Sequence, residues 1–185
     1  MNVLTLQSTY GGLLHDTGKV VYRAGGQRGS HSEQGYQFLH GVLPGAGWAP
    51  ALDCVRYHHA AALRSAAKAL PADSPAYIVY LADDLSAAAD RREVEGESSS
   101  FRRDLPLDSV FTHLNGAHPG WMTPAQPQDG SLKLPRQQQQ LSASVYADAV
   151  RKLSECLPDL QPQPEWINSL LGLLETQFSC FPSST

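Results

Sequence analysis

A chain of 185 residues and 20.1 kDa can bury one sound core, or one core with an appendage. Hydrophobic residues at 42% and charged residues at 17% describe a globular protein and exclude a disordered one. A formal net charge of -4 excludes a surface that grips nucleic acid everywhere, so any such contact is confined to a local patch or helped by partner subunits. Cys54, Cys156 and Cys180 are far apart and form no CxxC, which argues for a reducing cytoplasm over a disulfide scaffold. The N-terminus has no basic leader region, and no apolar run approaches a membrane span.

The first hundred residues carry helical patterning. Leu4, Tyr10, Leu13 and Leu14 predict a first helix that Gly18 stops, with His15-Asp16 near its end. Ser30 or Ser32 caps a short helix through Tyr36, Phe38 and Leu39, closed by Gly41 and Pro44. Pro50 opens a segment that delivers His58-His59 at its end, and an Ala-rich helix over 60–69 stops before Pro71. From Ser74 to Arg92 a long helix places Ile78, Leu81, Leu85 and Ala88 or Ala89 on one apolar stripe. Residues 93–135 turn polar and Gly/Pro-rich, with Val110-Phe111 and Leu132-Lys133-Leu134 as candidate short strands. Helix returns after Pro135 with Leu141, Val145, Val150, Leu153 and Leu157. After the Gln161–Pro164 linker, a last helix aligns Ile167, Leu170, Leu171, Leu174 and Phe178. The fold class expected is mostly α, with a small irregular or β insertion and C-terminal helices.

The chemistry lies in a constellation. His15-Asp16 is followed by Lys19, His31, the pair His58-His59 and Asp83. Imidazoles with carboxylates suit divalent Mn, Fe, Co, Ni or Zn, as one or two ions. A side-by-side His-Asp pair lets one carboxylate bridge two ions, which points to metal-assisted hydrolysis, foremost of a phosphoester. Asp83 has Val79 and Ala87 one turn either side, and an ionised carboxylate in apolar surroundings is costly unless paired or metal-bound. Successive helix positions point about 100° apart, so only one of Asp83 and Asp84 can face a site squarely, and spacing does not choose between them. Lys19, Arg23 and Arg28, with the doublets Arg91-Arg92 and Arg102-Arg103, are the local cations. His40, His113 and His118 are expected on the surface, Tyr77 and Tyr80 as packing residues, and Cys54 as a buried small residue.

Gly12–Val20, His31-Ser32, Tyr57-His58-His59, Ala76–Ala87 and Asp90-Arg91-Arg92 together resemble the HD superfamily of metal-dependent phosphohydrolases. More narrowly, they resemble the N-terminal HD nuclease domain of the large subunit of type III-A CRISPR effector complexes. Asp108–Phe111 and Phe181–Thr185 resemble that subunit's linker region. Thr17 stands where that family has an aliphatic residue. Residues 1–14 contain no histidine, in keeping with a circularly permuted HD bundle.

The resemblance implies that His15, Asp16, His58, His59 and Asp83 are metal ligands, with Asp16 the bridge and Asp83 favoured over Asp84. His15, Asp16 and Lys19 would carry catalysis, and His31 would line the substrate path or ligate. Lys19, Arg23, Arg91 and Arg92 would contact nucleic acid. It further implies an HD core over residues 1–100 and an extension over 101–185 leading toward a palm domain that this chain lacks. Asp83-Asp84 has no preceding glycines, so no cyclase activity is expected. The implied function is metal-dependent cleavage of single-stranded DNA inside a cytoplasmic, RNA-guided antiviral complex, as part of a longer polypeptide. Two alternatives stay open: a phosphohydrolase of nucleotides or cyclic nucleotides, and an HD-derived interaction module with a decayed site.

Overall fold

The computed structural model describes residues 1–25, 29–90, 104, 107, 141–179 and 181–182. Every regular element among them is helical: α1 Val3–Leu14, α2 Thr17–Arg23, α3 His31–Val42, α4 Ala49–Tyr57, α5 Ala60–Ala66, α6 Pro75–Asp90, α7 Ala143–Cys156 and α8 Ile167–Phe178. The candidate strands at 110–111 and 132–134 lie outside the described residues, as do His113, His118 and Cys180.

Local chemistry sets the helix starts. Asn2 Oδ1 accepts the Thr5 amide at 2.7 Å, and Ser30 Oγ accepts the Glu33 amide at 3.2 Å, so Ser30 and not Ser32 caps α3. Pro50 sits in the first turn of α4, where its missing N–H costs nothing. α4 is central, packed against α1, α3, α5 and α6. α7 lies on α2, and α8 packs on both α1 and α7.

The main core joins both ends of the chain. Tyr10, Leu14, Leu39, Trp48, Leu52 and Val55 from the first half meet Leu153, Leu157, Leu160, Leu170 and Leu174 from the second. Tyr10 meets Trp48 edge-on at 4.8 Å, and its hydroxyl donates to the Gln163 carbonyl at 2.6 Å. A second cluster of Val20, Leu141, Tyr146, Ala149 and Phe181 fixes α2 to α7. Cys54, Leu63, Ala76 and Val79 form a third under α6, with Tyr57, Tyr77 and Tyr80 packed against it. Cys54 is fully buried, and His40 is exposed against Tyr36, as expected for both.

Two expectations are corrected. Gly18 does not stop a helix; α1 ends at Leu14, and Gly18 lies buried inside α2. A Cβ on Gly18 would stand 1.8 Å from the His31 carbonyl oxygen, and one on Gly35 would stand 2.9 Å from the Gly18 nitrogen. The glycines therefore let α2 and α3 cross in backbone contact. On α6 the predicted stripe faces solvent, with Ile78 46%, Leu81 56% and Leu85 63% exposed. The buried side of α6 is made by Pro75, Ala76 and Val79, because the neighbours α1 and α4 lie on that side.

Candidate metal centre

Three breaks between helices bring the polar residues together. His15 and Asp16 occupy the step between α1 and α2. His31 is the first residue of α3, and His58-His59 fill the gap between α4 and α5. The close crossing at Gly18 and Gly35 draws the start of α3 onto the His15-Asp16 step. Arg56 braces the other side, its guanidinium donating to both Glu33 oxygens at 2.9 and 3.2 Å. That fork ties the start of α3 to the end of α4, the two helix ends that present His31 and His58.

Asp16 divides its two oxygens between two groups of polar side chains. Oδ1 lies 3.6 Å from His31 Nε2 and 4.0 Å from His58 Nε2. Oδ2 lies 3.4 Å from His15 Nε2 and accepts from Lys19 Nζ at 2.8 Å. On that second side His15 Nε2 is also 3.5 Å from Asp83 Oδ1. On the first side His31 Nε2 is 3.2 Å from His58 Nε2 and 3.0 Å from His59 Nε2. These three imidazoles offer nitrogens all within 4.8 Å of one another, and Asp16 Oδ1 lies within 4.0 Å of two of them.

The tautomers follow from the backbone. His58 Nδ1 lies 2.8 Å from the Val55 carbonyl and His15 Nδ1 lies 2.7 Å from the Gly12 carbonyl. A carbonyl only accepts, so each Nδ1 carries a proton, which leaves each Nε2 as the ring atom directed toward Asp16. Burial, with His59 beside it, pushes His58 down to about 3. Burial likewise brings His31 down to about 4, against the pull of Asp16. Burial alone would raise the Asp16 carboxyl, but His15, the Lys19 hydrogen bond and charge, and His58 outweigh it and hold it below the ordinary value. Neutral imidazoles and an ionised carboxylate are the forms that bind a metal. The donor set thus fits a divalent cation.

His15, Asp16, Lys19, His31, His58, His59 and Asp83 all converge here. Asp84 does not; it is exposed and accepts from Tyr80 at 3.4 Å. The Asp83 side chain is 36% exposed, so the predicted desolvation penalty is small, and its place opposite His15 is what distinguishes it. Arg23 donates to the Pro182 carbonyl and lies 5.8 Å over the Tyr146 ring, which joins it to the C-terminal segment. Arg28, Arg91, Arg92, Arg102 and Arg103 lie outside the described residues. Glu33, Arg56, Gly35 and the packing role of Gly18 escaped the sequence reading. The only trace of Glu33 was its Ser30-x-x-Glu33 spacing, which predicts a capping box and not a brace to α4.

Comparison with known proteins agrees with this geometry. Residues 8–88 match the HD domain family model. The chain is 35% identical over 193 residues to the CRISPR system single-strand-specific deoxyribonuclease Cas10/Csm1 (subtype III-A) of Enterococcus italicus, covering 97% of this chain and 25% of that protein. It is 33% identical over 213 residues to the protein of the same name from Mycobacterium tuberculosis, covering all of this chain and 26% of the relative. Among solved structures, Csm1 in T. onnurineus superposes with a TM-score of 0.71 at 27% identity, over 100% of this chain and 26% of that one. A Csm1-Csm4 subcomplex of the type III-A CRISPR-Csm interference complex gives a TM-score of 0.67 at 26% identity, over 98% and 24%. The chain therefore spans about a quarter of the length of the curated relatives it matches. Residues 8–88, which contain the clustered His and Asp side chains, thus match the HD domain family, in a chain similar throughout to part of the type III-A Cas10/Csm1 subunits.

Proposed function

We propose that this chain is a metal-dependent single-stranded DNA nuclease domain, working in the cytoplasm inside an RNA-guided type III CRISPR antiviral complex with partner subunits and guide RNA. The observation that carries this reading is Asp16, whose two oxygens face two separate groups of metal-ligand side chains. The relatives are named as deoxyribonucleases specific for single strands, which supports the choice of substrate. Exposure supports it too, because Asp16 at 37% and Asp83 at 36% leave the site open to a polymer.

In this reading His31, His58 and His59 with Asp16 would hold one ion, and His15 and Asp83 with the other oxygen of Asp16 would hold a second. Nitrogen-rich ligation suits Mn, Fe, Co, Ni or Zn over Mg or Ca. A divalent cation bound there supplies Lewis acidity toward water and the scissile phosphate. The chain's own part is positioning. Val55 and Gly12 fix the His58 and His15 tautomers, and the Glu33–Arg56 fork holds His31 against His58. Lys19 sets a cation beside the phosphate, and Arg23, Arg91 and Arg92 contribute to a local basic track. Residues 1–100 form the catalytic unit, and the segment after 101 braces it through α7 and α8.

Incubation of the chain with Mn2+ and circular single-stranded DNA, duplex DNA, nucleotides and cyclic nucleotides tests the substrate class. The circular single strand is expected to be cut and the duplex spared. Turnover of nucleotides alone would overturn this reading in favour of a nucleotide phosphohydrolase. Absence of bound metal in a folded chain would favour a decayed interaction module.

A further inference from the structure

The geometry points to Lys19 as the residue that makes the two metal positions unequal: its ammonium acts as an internal cation on the Asp16 oxygen that the second ion needs. This inference rests on the metal-centre reading above and adds an order of occupancy to it.

Three observations carry it. The Lys19 ammonium donates to Asp16 Oδ2 at 2.8 Å, the oxygen that faces His15, while Oδ1 is the one that faces His31 and His58. The pair is built into the turn and is not a chance surface contact. The Lys19 amide donates to the Asp16 carbonyl at 2.9 Å, and the Lys19 side chain is only 22% exposed. The two sides also differ in make-up. Three imidazole nitrogens lie within 4.8 Å of one another on one side, whereas the other offers the single imidazole of His15 between the carboxylates of Asp16 and Asp83, at 3.4 and 3.5 Å.

Distances make the conflict specific. An ion bound to Asp16 Oδ2 at the usual oxygen distance of about 2.1 Å would lie no farther than about 5 Å from the ammonium while the Lys19 pair persists. In a half-buried site, like charges that close repel strongly. The His31, His58 and His59 position therefore fills first. The second fills only as Lys19 yields Asp16 Oδ2, and that exchange frees the ammonium to meet a phosphate. Lys19 is thus a positioning and selectivity residue for the ions before it contacts substrate.

Titration of the full chain with Mn2+, with unbound ion followed by its electron paramagnetic resonance signal, tests this in native protein, Lys19→Met and Lys19→Arg. Native chain is expected to take one equivalent tightly and a second at least about tenfold more weakly, in line with ordinary coupling between neighbouring sites. Lys19→Met should tighten the second equivalent about tenfold and change the first much less. Lys19→Arg keeps a cation and should retain the weak second site. Circular dichroism establishes that each variant keeps native helix content. An unchanged second equivalent in folded Lys19→Met overturns the inference and leaves the metal centre standing, as does loss of both equivalents together. If native folded chain binds no Mn2+ at all, the metal-centre reading itself falls and takes the inference with it.

Discussion

Gly18 and His31 touch so closely that a Cβ on Gly18 would stand 1.8 Å from the His31 carbonyl oxygen and 2.7 Å from its carbonyl carbon. Backbone cannot swing aside as a side chain can, so Gly18→Ala must push α2 and α3 apart. The variant is expected to lose about 3 kcal/mol of stability, at the upper end for overpacking. Because the same movement carries His31 away from Asp16, it should also weaken metal binding in whatever fraction stays folded. Urea unfolding and metal titration check the two effects. Native stability in Gly18→Ala would show that the crossing is looser than described.

Thr17 should be improvable. It is 2% exposed, and its Oγ1 has no hydrogen-bond partner among the described residues. A buried orphan hydroxyl costs about 1–3 kcal/mol relative to a satisfied or absent one. Thr17→Val keeps the shape and removes the hydroxyl, so it should stabilise the fold by about 1 kcal/mol. A rise in midpoint denaturant concentration at constant slope would confirm it, and a fall would reveal a partner for that hydroxyl.

Stability without metal should depend on pH through the two low histidines. In the folded chain His58 titrates near 3 and His31 near 4, against about 6.5 in an unfolded one. As pH falls below about 6.5 the unfolded chain takes up protons that the folded chain refuses, so stability drops until about pH 3 to 4. Each histidine contributes a slope of about 1 kcal/mol per pH unit across that window and none above it. Urea unfolding in chelator from pH 7.5 to 4.5 reads the slope directly. His58→Gln and His31→Gln should each lose part of it. Slopes equal to native in both variants would mean that neither histidine is held neutral.

Much of this was legible along the chain, for identifiable reasons. Ser30 at a cap, Pro50 in a first turn and Pro71 after the Ala-rich run are local signals, and the helices obey them. His15, Asp16, His58, His59 and Asp83 stood out by residue type and by the resemblance of their motifs to the HD superfamily, and the structure brings their side chains together. What stayed hidden depends on which neighbour a residue meets. Gly18 has the same sequence signature as a helix-stopping glycine, and only the approach of α3 reveals it as a packing residue. Ile78, Leu81 and Leu85 form a correct helical stripe, yet the partners of α6 pack on the small residues Ala76 and Val79 instead. The Glu33–Arg56 fork joins residues 23 positions apart on two helices, beyond any local pattern.

The central claim is that Asp16 joins two groups of ligands into one hydrolytic metal centre. The most direct measurement compares native chain with Asp16→Ala for bound metal per chain and for Mn2+-dependent cleavage of single-stranded DNA. The account predicts metal in the native chain, less of it in folded Asp16→Ala, and cleavage lower by about a hundredfold or more. Native chain that binds no metal, or Asp16→Ala that cleaves as well as native, would contradict it.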